Sequence, residues 1–368
     1  MNEKLKYYIA LNMIPAVGSV TARKLISYTG SAEAVFKEKK SALMKIPGIG
    51  KTLAGRADSK HLIEEAEKEL KYCKKNNIKI LDYYHEKYPV RLKNCEDAPL
   101  VLFYRGEYSF CRRKVLSIVG TRRATSYGIE QVNSFIREIS AKFPDTIIVS
   151  GLAYGIDYNA HHAALKYGLK TIAVLAHGLH TIYPWEHKNL GREITSNGCL
   201  VSDFTTKAKL DRNNFIKRNR IIAGLADATL VVESGLKGGA LITADLAGSY
   251  NRDVFAIPGR AGDEMSSGCN MLIKRHKAGL IENGKDLEYY MGWDARNEDK
   301  NVQRKLFVEL SKEEQLIVDF LKENGQASAD ILSIKLNLSL SKLSALMLNL
   351  EFSGVIHVLP GNYYKLMG

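Results

Sequence analysis

VLSIVGTRRATSYG, residues 115–128, decides how this chain folds. Its first five residues are a short apolar run of the kind buried on both faces of a parallel sheet. Gly120 ends the run, and an amphipathic stretch follows over 127–142. The segment therefore reads as a strand, a tight turn and a helix start. The turn is not GxGxxG. After Gly120 come Thr121, Arg122 and Arg123, which present a hydroxyl and two guanidinium groups. Such a turn grips phosphate by charge and bidentate hydrogen bonds rather than by bare backbone.

The same alternation extends outward from this stretch. Further strands are expected at TIIVSG (146–151), TIAVLA (171–176), CLVSDF (199–204), TLVVES (229–234) and VFAIPG (254–259). Helices are expected at 155–168, 214–225, 239–250 and 267–278. This spacing predicts an α/β fold, a Rossmann-like parallel sheet with helices on both faces. Residues 81–113, with strands at IKILDYY and LVLFYRG, extend that domain, which runs over 81–291.

Residues 1–80 read as helical, with a helix at 61–77, and hold a weak repeat. MIPAVGSVTARKL (13–25) aligns with KIPGIGKTLAGRA (45–57) at an offset of 32. Each copy is a Pro-initiated turn, a Gly and a helix start, the layout of a helix-hairpin-helix in an all-α, SAM-like domain. Its turn amides suit a DNA phosphate without reading bases, so Gly48, Gly50 and Lys51 are auxiliary candidates. A Walker A loop ending at Gly50-Lys51-Thr52 would need glycine at position 45, which is Lys45. The ATP reading fails. Ala16 stands where the second copy has Gly48, so the first arm is expected to be the weaker or the purely structural one.

Residues 292–310 are polar and aperiodic, a linker. Residues 311–368 read as three helices and a hairpin turning at Pro360-Gly361, a winged helix. Its third helix carries Lys342 as its one base, which favours a protein–protein or intramolecular contact over DNA reading.

Of 368 residues, 53 are Lys or Arg and 40 are Asp or Glu, a formal net charge of +13. The net is +8 over 1–80, +6 over 81–296 and −1 over 297–368. A polyanion suits the first two regions and not the third, the alternative being solvated Lys-rich helices. No run is long and apolar enough for a membrane span, and no signal peptide is read at the N-terminus. Five scattered cysteines, none in CxxC spacing, point to reduced thiols in the cytoplasm and away from structural zinc.

Three more strand ends carry chemistry. SGLAYGID (150–157) offers Ser150 and Gly151 before a helix, with Asp157 as a cap or, alternatively, a catalytic acid. FIKRNRIIAGLAD (215–227) sets Lys217, Arg218 and Arg220 at an expected helix start, against the dipole, with Asn219 between them and Phe215 as a stacking face. VVESGLKGGALITADLA (231–247) places Gly235, Gly238 and Gly239 ahead of a helix. Glu233 has no matched base, nucleophile or metal ligand spaced around it. HGLH (177–180) has i,i+3 histidines, but Gly178 and the preceding strand argue against the helix a metal pair would need. No metal and no cofactor are expected.

In this order, GTRRATSYG, SGLAYGID, IAVLAHGL with IYPWEH, RNRIIAGLAD with LVVES, GGALITA, VFAIPG and SSGCN resemble the DNA-processing protein A (DprA, or Smf) family. The resemblance covers residues ~80–290, and RNRIIAGL with GALITA is its most specific part. It implies a non-enzymatic protein of bacterial natural transformation. Such a protein binds incoming single-stranded DNA, loads the RecA recombinase and forms a homodimer. By position, Gly120, Thr121 and Arg122 match the family's phosphate loop, Ser150 and Gly151 a second loop, and Arg218, Asn219 and Arg220 its basic motif. The chain departs from the family at Tyr154, where arginine is usual, at His177 and His180, and at Ser202-Asp203-Phe204-Thr205. Two other readings stay open: a nucleotide-processing hydrolase using Glu233 or Asp157, and a scaffold whose winged helix recruits partners.

Overall fold

The computed structural model describes residues 4–57, 60–107, 114–293, 310–359 and 361–367, in two units, Met1–Leu287 and Glu288–Gly368. Cys111, Pro360 and most of the 292–310 linker lie outside the described residues.

The first unit opens with helices α1 (Leu5–Met13), α2 (Ser19–Thr29), α3 (Ala32–Lys37), α4 (Lys40–Leu43), α5 (Lys51–Ala57) and α6 (Lys60–Lys75). The two repeat copies are the α1–α2 and α4–α5 turns. In each, one amide closes the turn, Val17 onto the Ile14 carbonyl at 3.1 Å and Ile49 onto Ile46 at 3.0 Å. The next helix then starts on the Gly18 or Gly50 carbonyl, which accepts from Ala22 at 2.9 Å or Ala54 at 3.0 Å. The equivalent residues Ala16 and Gly48 both take a left-handed backbone, φ +64° and +82°.

The sheet follows: β1 (Lys79–Asp82), α7 (Val90–Lys93), β2 (Val101–Gly106), β3 (Val115–Val119), α8 (Ser126–Lys142), β4 (Ile147–Ser150), α9 (Ile156–Lys166) and β5 (Lys170–Val174). It continues through α10 (Lys188–Asn197), β6 (Gly198–Ser202), α11 (Arg212–Leu225), β7 (Ala228–Val231), α12 (Gly239–Ser249), β8 (Asp253–Ala256), α13 (Ser267–Lys274), β9 (Gly279–Leu280) and α14 (Gly284–Met291). Strand order is β1-β2-β6-β5-β4-β3-β7-β8-β9. The expected parallel sheet holds from β6 to β9, where β3 and β4 are apolar and buried along their whole length. The extension departs from it: β2 pairs antiparallel with β6, and β1 antiparallel with β2. Successive strands run from β3 toward β6, then the chain crosses back to place β7 beside β3. That switch point is where a doubly wound sheet opens a crevice at its carboxyl edge.

Hydrophobic residues cover both faces. One cluster joins the N-terminal helices (Ile9, Leu25, Leu43, Ala66) to Phe103, Leu200 and Ile194 of the sheet and α10. The other packs α11, α12 and α13 (Ile222, Leu241, Leu272) against Val119, Val149 and Val231. Cys73, Cys95, Cys199 and Cys269 are buried free thiols. No single helix among the described residues is long and apolar enough to cross a membrane.

The second unit is α15 (Lys312–Asn324), β10 (Gln326–Ser328), α16 (Ala329–Leu336), α17 (Leu340–Phe352), β11 (Ile356–Leu359) and β12 (Tyr363–Leu366) around Ile317, Leu321, Leu332, Met347 and Ile356. Ser311 and Glu314 form a capping box at α15, and Ser328 and Ser339 cap the next two helices. Lys342 on α17 is tied to Glu313 at 2.5 Å.

The left-handed turn positions generate a prediction. A Cβ at Gly48 would meet nothing nearer than Lys24 Nζ at 3.8 Å, so these sites differ in backbone strain and not in space. Ala16→Gly is expected to stabilise the first unit by about 0.5–1 kcal/mol, and Gly48→Ala to destabilise it by about as much. Thermal unfolding measures both, and an unchanged or lowered midpoint in Ala16→Gly contradicts the assignment.

Candidate nucleic-acid interface

A groove of about 670 Å³ opens at the carboxyl ends of β3, β4 and β7, against α11 and the start of α12. Its walls include Gly120, Thr121 and Arg122 from the turn after β3, and Arg212, Phe215, Arg218 and Asn219 from α11. Lys237, Gly238 and Gly239 close it from the β7–α12 loop.

The turn after β3 is held from below. The Thr121 amide donates to the Glu233 carbonyl at 2.6 Å, and the Arg123 amide donates to Thr121 Oγ1 at 3.1 Å. The buried Glu233 carboxylate accepts from the Thr125 amide at 2.9 Å and the Thr125 hydroxyl at 2.6 Å. Thr125 in turn caps α8. Both oxygens of Glu233 are thus spent on holding the turn. Arg122 and Arg123 are left exposed on it, and the Arg122 guanidinium lies 5.0 Å from the centre of the Phe215 ring. Tyr183 meets the same ring edge-on at 6.1 Å.

Beneath the groove lies Arg218, 3% exposed. Its Nη1 donates to the Gly151 carbonyl at 2.7 Å and also to the Val174 carbonyl, and its Nε donates to Asn219 Oδ1 at 3.2 Å. Burial pulls the Arg218 pKa down to about 10; the Asp157 charge opposes this and Arg122 adds to it. Arg218 stays charged at neutral pH. Burial likewise raises the Asp157 pKa, against the charge of Arg218 and a bond from the Ala153 backbone. A Cβ on Gly151 would lie 2.5 Å from Arg218 Nη1 and 2.5 Å from Asp157 Oδ2. Only glycine lets this charged pair close over the end of β4.

The expected site residues divide accordingly. Gly120, Thr121, Arg122, Phe215, Arg218, Asn219 and Gly239 meet at the groove. Arg123 and Lys217 are exposed beside it but do not line it. Ser150 is fully buried and donates to the Ile118 carbonyl at 2.6 Å, and Gly151 is covered by Arg218, so these two support the groove while Ala153 and Asp157 of the same segment line it. Asp157 lies in the first turn of α9, whose cap is Gly155. Gly48, Gly50 and Lys51 are exposed on the α4–α5 turn.

Arg220 departs most from expectation. It points to the opposite side of α11, where Nη2 meets Asp203 at 2.7 Å, Nη1 donates to the Asp97 carbonyl, and both face Ser19 of α2 at 3.5 Å. Burial opposes its charge, and Asp203 more than offsets that, so its pKa is raised. Residues two apart on a helix face opposite ways, so Arg218 and Arg220 could not share a face. The dipole argument also fails. Asp211 caps α11 and accepts from the Asn213 amide at 2.6 Å, so the helix begins at Arg212 and the cations lie in its middle turns. Arg212 and Lys237, which line the groove, went unread, although each stands within a quoted Gly-rich or basic segment or just ahead of one. Helix α10 was missed as well; Leu190 and Ile194, four apart and buried, were its signal.

His177 is buried and accepts from the Tyr183 amide at 3.2 Å through Nε2, with Nδ1 on the Gly178 carbonyl at 2.9 Å. His180 is exposed.

Comparison with known proteins bears on this groove. Residues 79–291 match the family model described as DNA recombination-mediator protein A. Residues 8–57 match a SAM-like helix-hairpin-helix tandem and residues 308–362 a DprA winged helix domain. Protein Smf of Synechocystis is 34% identical over 278 residues, 74% of this chain and 69% of that protein. The X-ray structure of DNA processing protein A from Streptococcus pneumoniae superposes with a TM-score of 0.66 at 30% identity, covering 78% of this chain and 98% of that one. DNA processing protein A from Helicobacter pylori, whose structure was described for its single-stranded DNA binding mode, gives 0.53 at 28%, covering 59% and 96%.

Burial separates the two kinds of arginine. Arg220→Ala would leave Asp203 as a buried, unpaired carboxylate and is expected to cost about 3–5 kcal/mol of stability. Arg122→Ala, at an exposed position, should stay within about 0.5 kcal/mol of the parent. Denaturant titration of the two variants decides, and a parent-like Arg220→Ala would return that residue to the candidate contacts.

Proposed function

The chain belongs to the DNA recombination-mediator protein A family, DprA or Smf, and from that premise we propose that it binds single-stranded DNA in the groove and passes the strand to the RecA recombinase in natural transformation. The observation that carries the first part is the groove's wall. Arg122 and Arg218 flank Phe215, so cations for phosphates stand beside a ring face on which a base can stack. Arg212 and Lys237 add charge along its length, and Arg123 and Lys217 extend it outside. The described binding mode of the Helicobacter pylori relative supports the same substrate. Gly120, Thr121, Asn219 and Gly239 shape the wall, while Gly48, Gly50 and Lys51 serve as an auxiliary phosphate contact.

Delivery to RecA accords with the family's description as a recombination mediator. The protein acts in the cytoplasm as a homodimer and without catalysis. In support of the last point, Glu233 is engaged through both oxygens, and Asp157, a buried residue of the groove lining, faces the Arg218 charge. The domain plan is a hairpin domain over 1–80, a Rossmann-like DNA-binding domain over 81–291, a linker over 292–310 and a winged helix over 311–368. The first hairpin arm serves structure, since Ser19 at its helix head faces Arg220.

Salt titration tests the binding. Affinity for short single strands should fall steeply with salt, and Arg122→Ala should weaken it across sequences and reduce the salt slope by about one. Parent-like affinity of the Arg122→Ala, Arg212→Ala double variant at moderate salt would remove the groove from the reading. Faster RecA filament formation on strands already bound by the chain is the expected sign of hand-off, and no acceleration rejects that step. Glu233-dependent release of base or phosphate from nucleotides would instead establish the hydrolase.

A further inference from the structure

Past Phe215 and Tyr183 the groove adjoins a smaller recess lined by Arg122, Tyr154, Tyr183 and Pro184. Trp185 comes next in the chain, at the start of a short 3-10 turn, Trp185–His187. It is 65% exposed, although so large an apolar ring is ordinarily buried to a high degree. Lys188 holds its ammonium 4.0 Å from the centre of the indole.

The turn that carries Trp185 is pinned on both sides. The Tyr183 amide donates to His177 Nε2 at 3.2 Å, and Tyr154 donates its hydroxyl to Glu186 at 2.9 Å. His187 meets the Leu152 carbonyl through Nδ1 at 2.9 Å, and its amide donates to the Pro184 carbonyl at 3.1 Å. The neighbours are fixed while the indole projects into solvent. A rigidly mounted ring with a cation against it is complementary to a nucleotide, offering a face for the base and a charge for the phosphate.

We propose that Trp185 and Lys188 form an outer base-stacking subsite that continues the single-strand path beyond Phe215 and Tyr183. This rests on the single-strand reading of the groove. The subsite would take any base, since every base offers a π-face, and would add affinity only for strands long enough to leave the groove.

The chain has two tryptophans, and the second, Trp293, is 7% exposed, so emission quenchable by acrylamide reports Trp185. The experiment titrates the full chain with a thymidine oligonucleotide of about 20 residues, above the ~4–16 of one single-strand module. It follows fluorescence anisotropy of the labelled DNA and tryptophan emission together. Binding should quench Trp185 and shield it from acrylamide. Trp185→Ala should weaken binding about tenfold, about 1.4 kcal/mol, with Trp185→Phe within about threefold of the parent because a ring remains. The alanine effect should vanish on an oligonucleotide whose outer residues are abasic. Binding by anisotropy with unchanged emission, or Trp185→Ala within about twofold of the parent, would overturn the subsite and leave the groove standing. No binding by the parent chain would overturn the groove reading itself.

Discussion

Arg218 is the constraint on which the rest of the first unit turns. Its guanidinium bonds to the carbonyls that end β4 and β5, at Gly151 and Val174, and faces the carboxylate of Asp157 on α9. These three neighbouring elements are thereby tied to α11 at the carboxyl edge of the sheet. A buried cation is costly unless it is bonded and paired, and here carbonyl acceptors and Asp157 supply both. The groove floor is thus a closed ion pair, and the exposed charge of the groove stands on Arg122, Arg212 and Lys237. Glu233 does the complementary work one strand away, using a buried carboxylate to hold the turn that carries Arg122.

Helix α11 distributes its cations by geometry. At 100° per residue, Lys217 faces solvent, Arg218 the sheet edge and Arg220 the N-terminal helices. The one helix thus builds the groove and anchors α2, through Asp203, the Asp97 carbonyl and Ser19. Arg23 reinforces that anchor from α2 by donating to the Ala98 carbonyl at 2.7 Å and to that of Glu96. Tyr250 closes the network by donating to Asp97 at 2.6 Å. Nε of Arg220 and Oδ1 of Asp203 are buried without a partner among the described residues, so the network is strong in charge and incomplete in hydrogen bonding.

The strands and helices of the sheet were legible because their pattern is local. VLSIV and TIIVSG read as buried strands from composition alone, and the repeat at IPAVG and IPGIG located both hairpin turns. The antiparallel placement of β1 and β2 was not legible, because pairing direction depends on where a distant strand, β6, has an open edge. Within the site, GTRR announced itself as an exposed charged turn after a strand. Ser150 did not announce that it is buried, since its environment is set by β3, more than thirty residues away. Arg220 could have been separated from Arg218 by helical phase alone. Asp203, its partner, could not have been assigned from sequence, because the pair is made only when β6 and α11 come together.

The hairpin copies and the groove bear on each other through that same pair. Ser19, at the head of the first hairpin's second helix, is buried against Arg220, so its end of α2 is committed to docking. Lys51, the equivalent residue of the second copy, is exposed. Two turns of one backbone design therefore have different surroundings, set by what each faces rather than by the Ala16-for-Gly48 exchange. The net charge of +8 over residues 1–80 is spread over several helices, where Lys6, Lys37 and Lys68 are paired with glutamates while Lys39, Lys40, Lys74 and Lys75 are exposed.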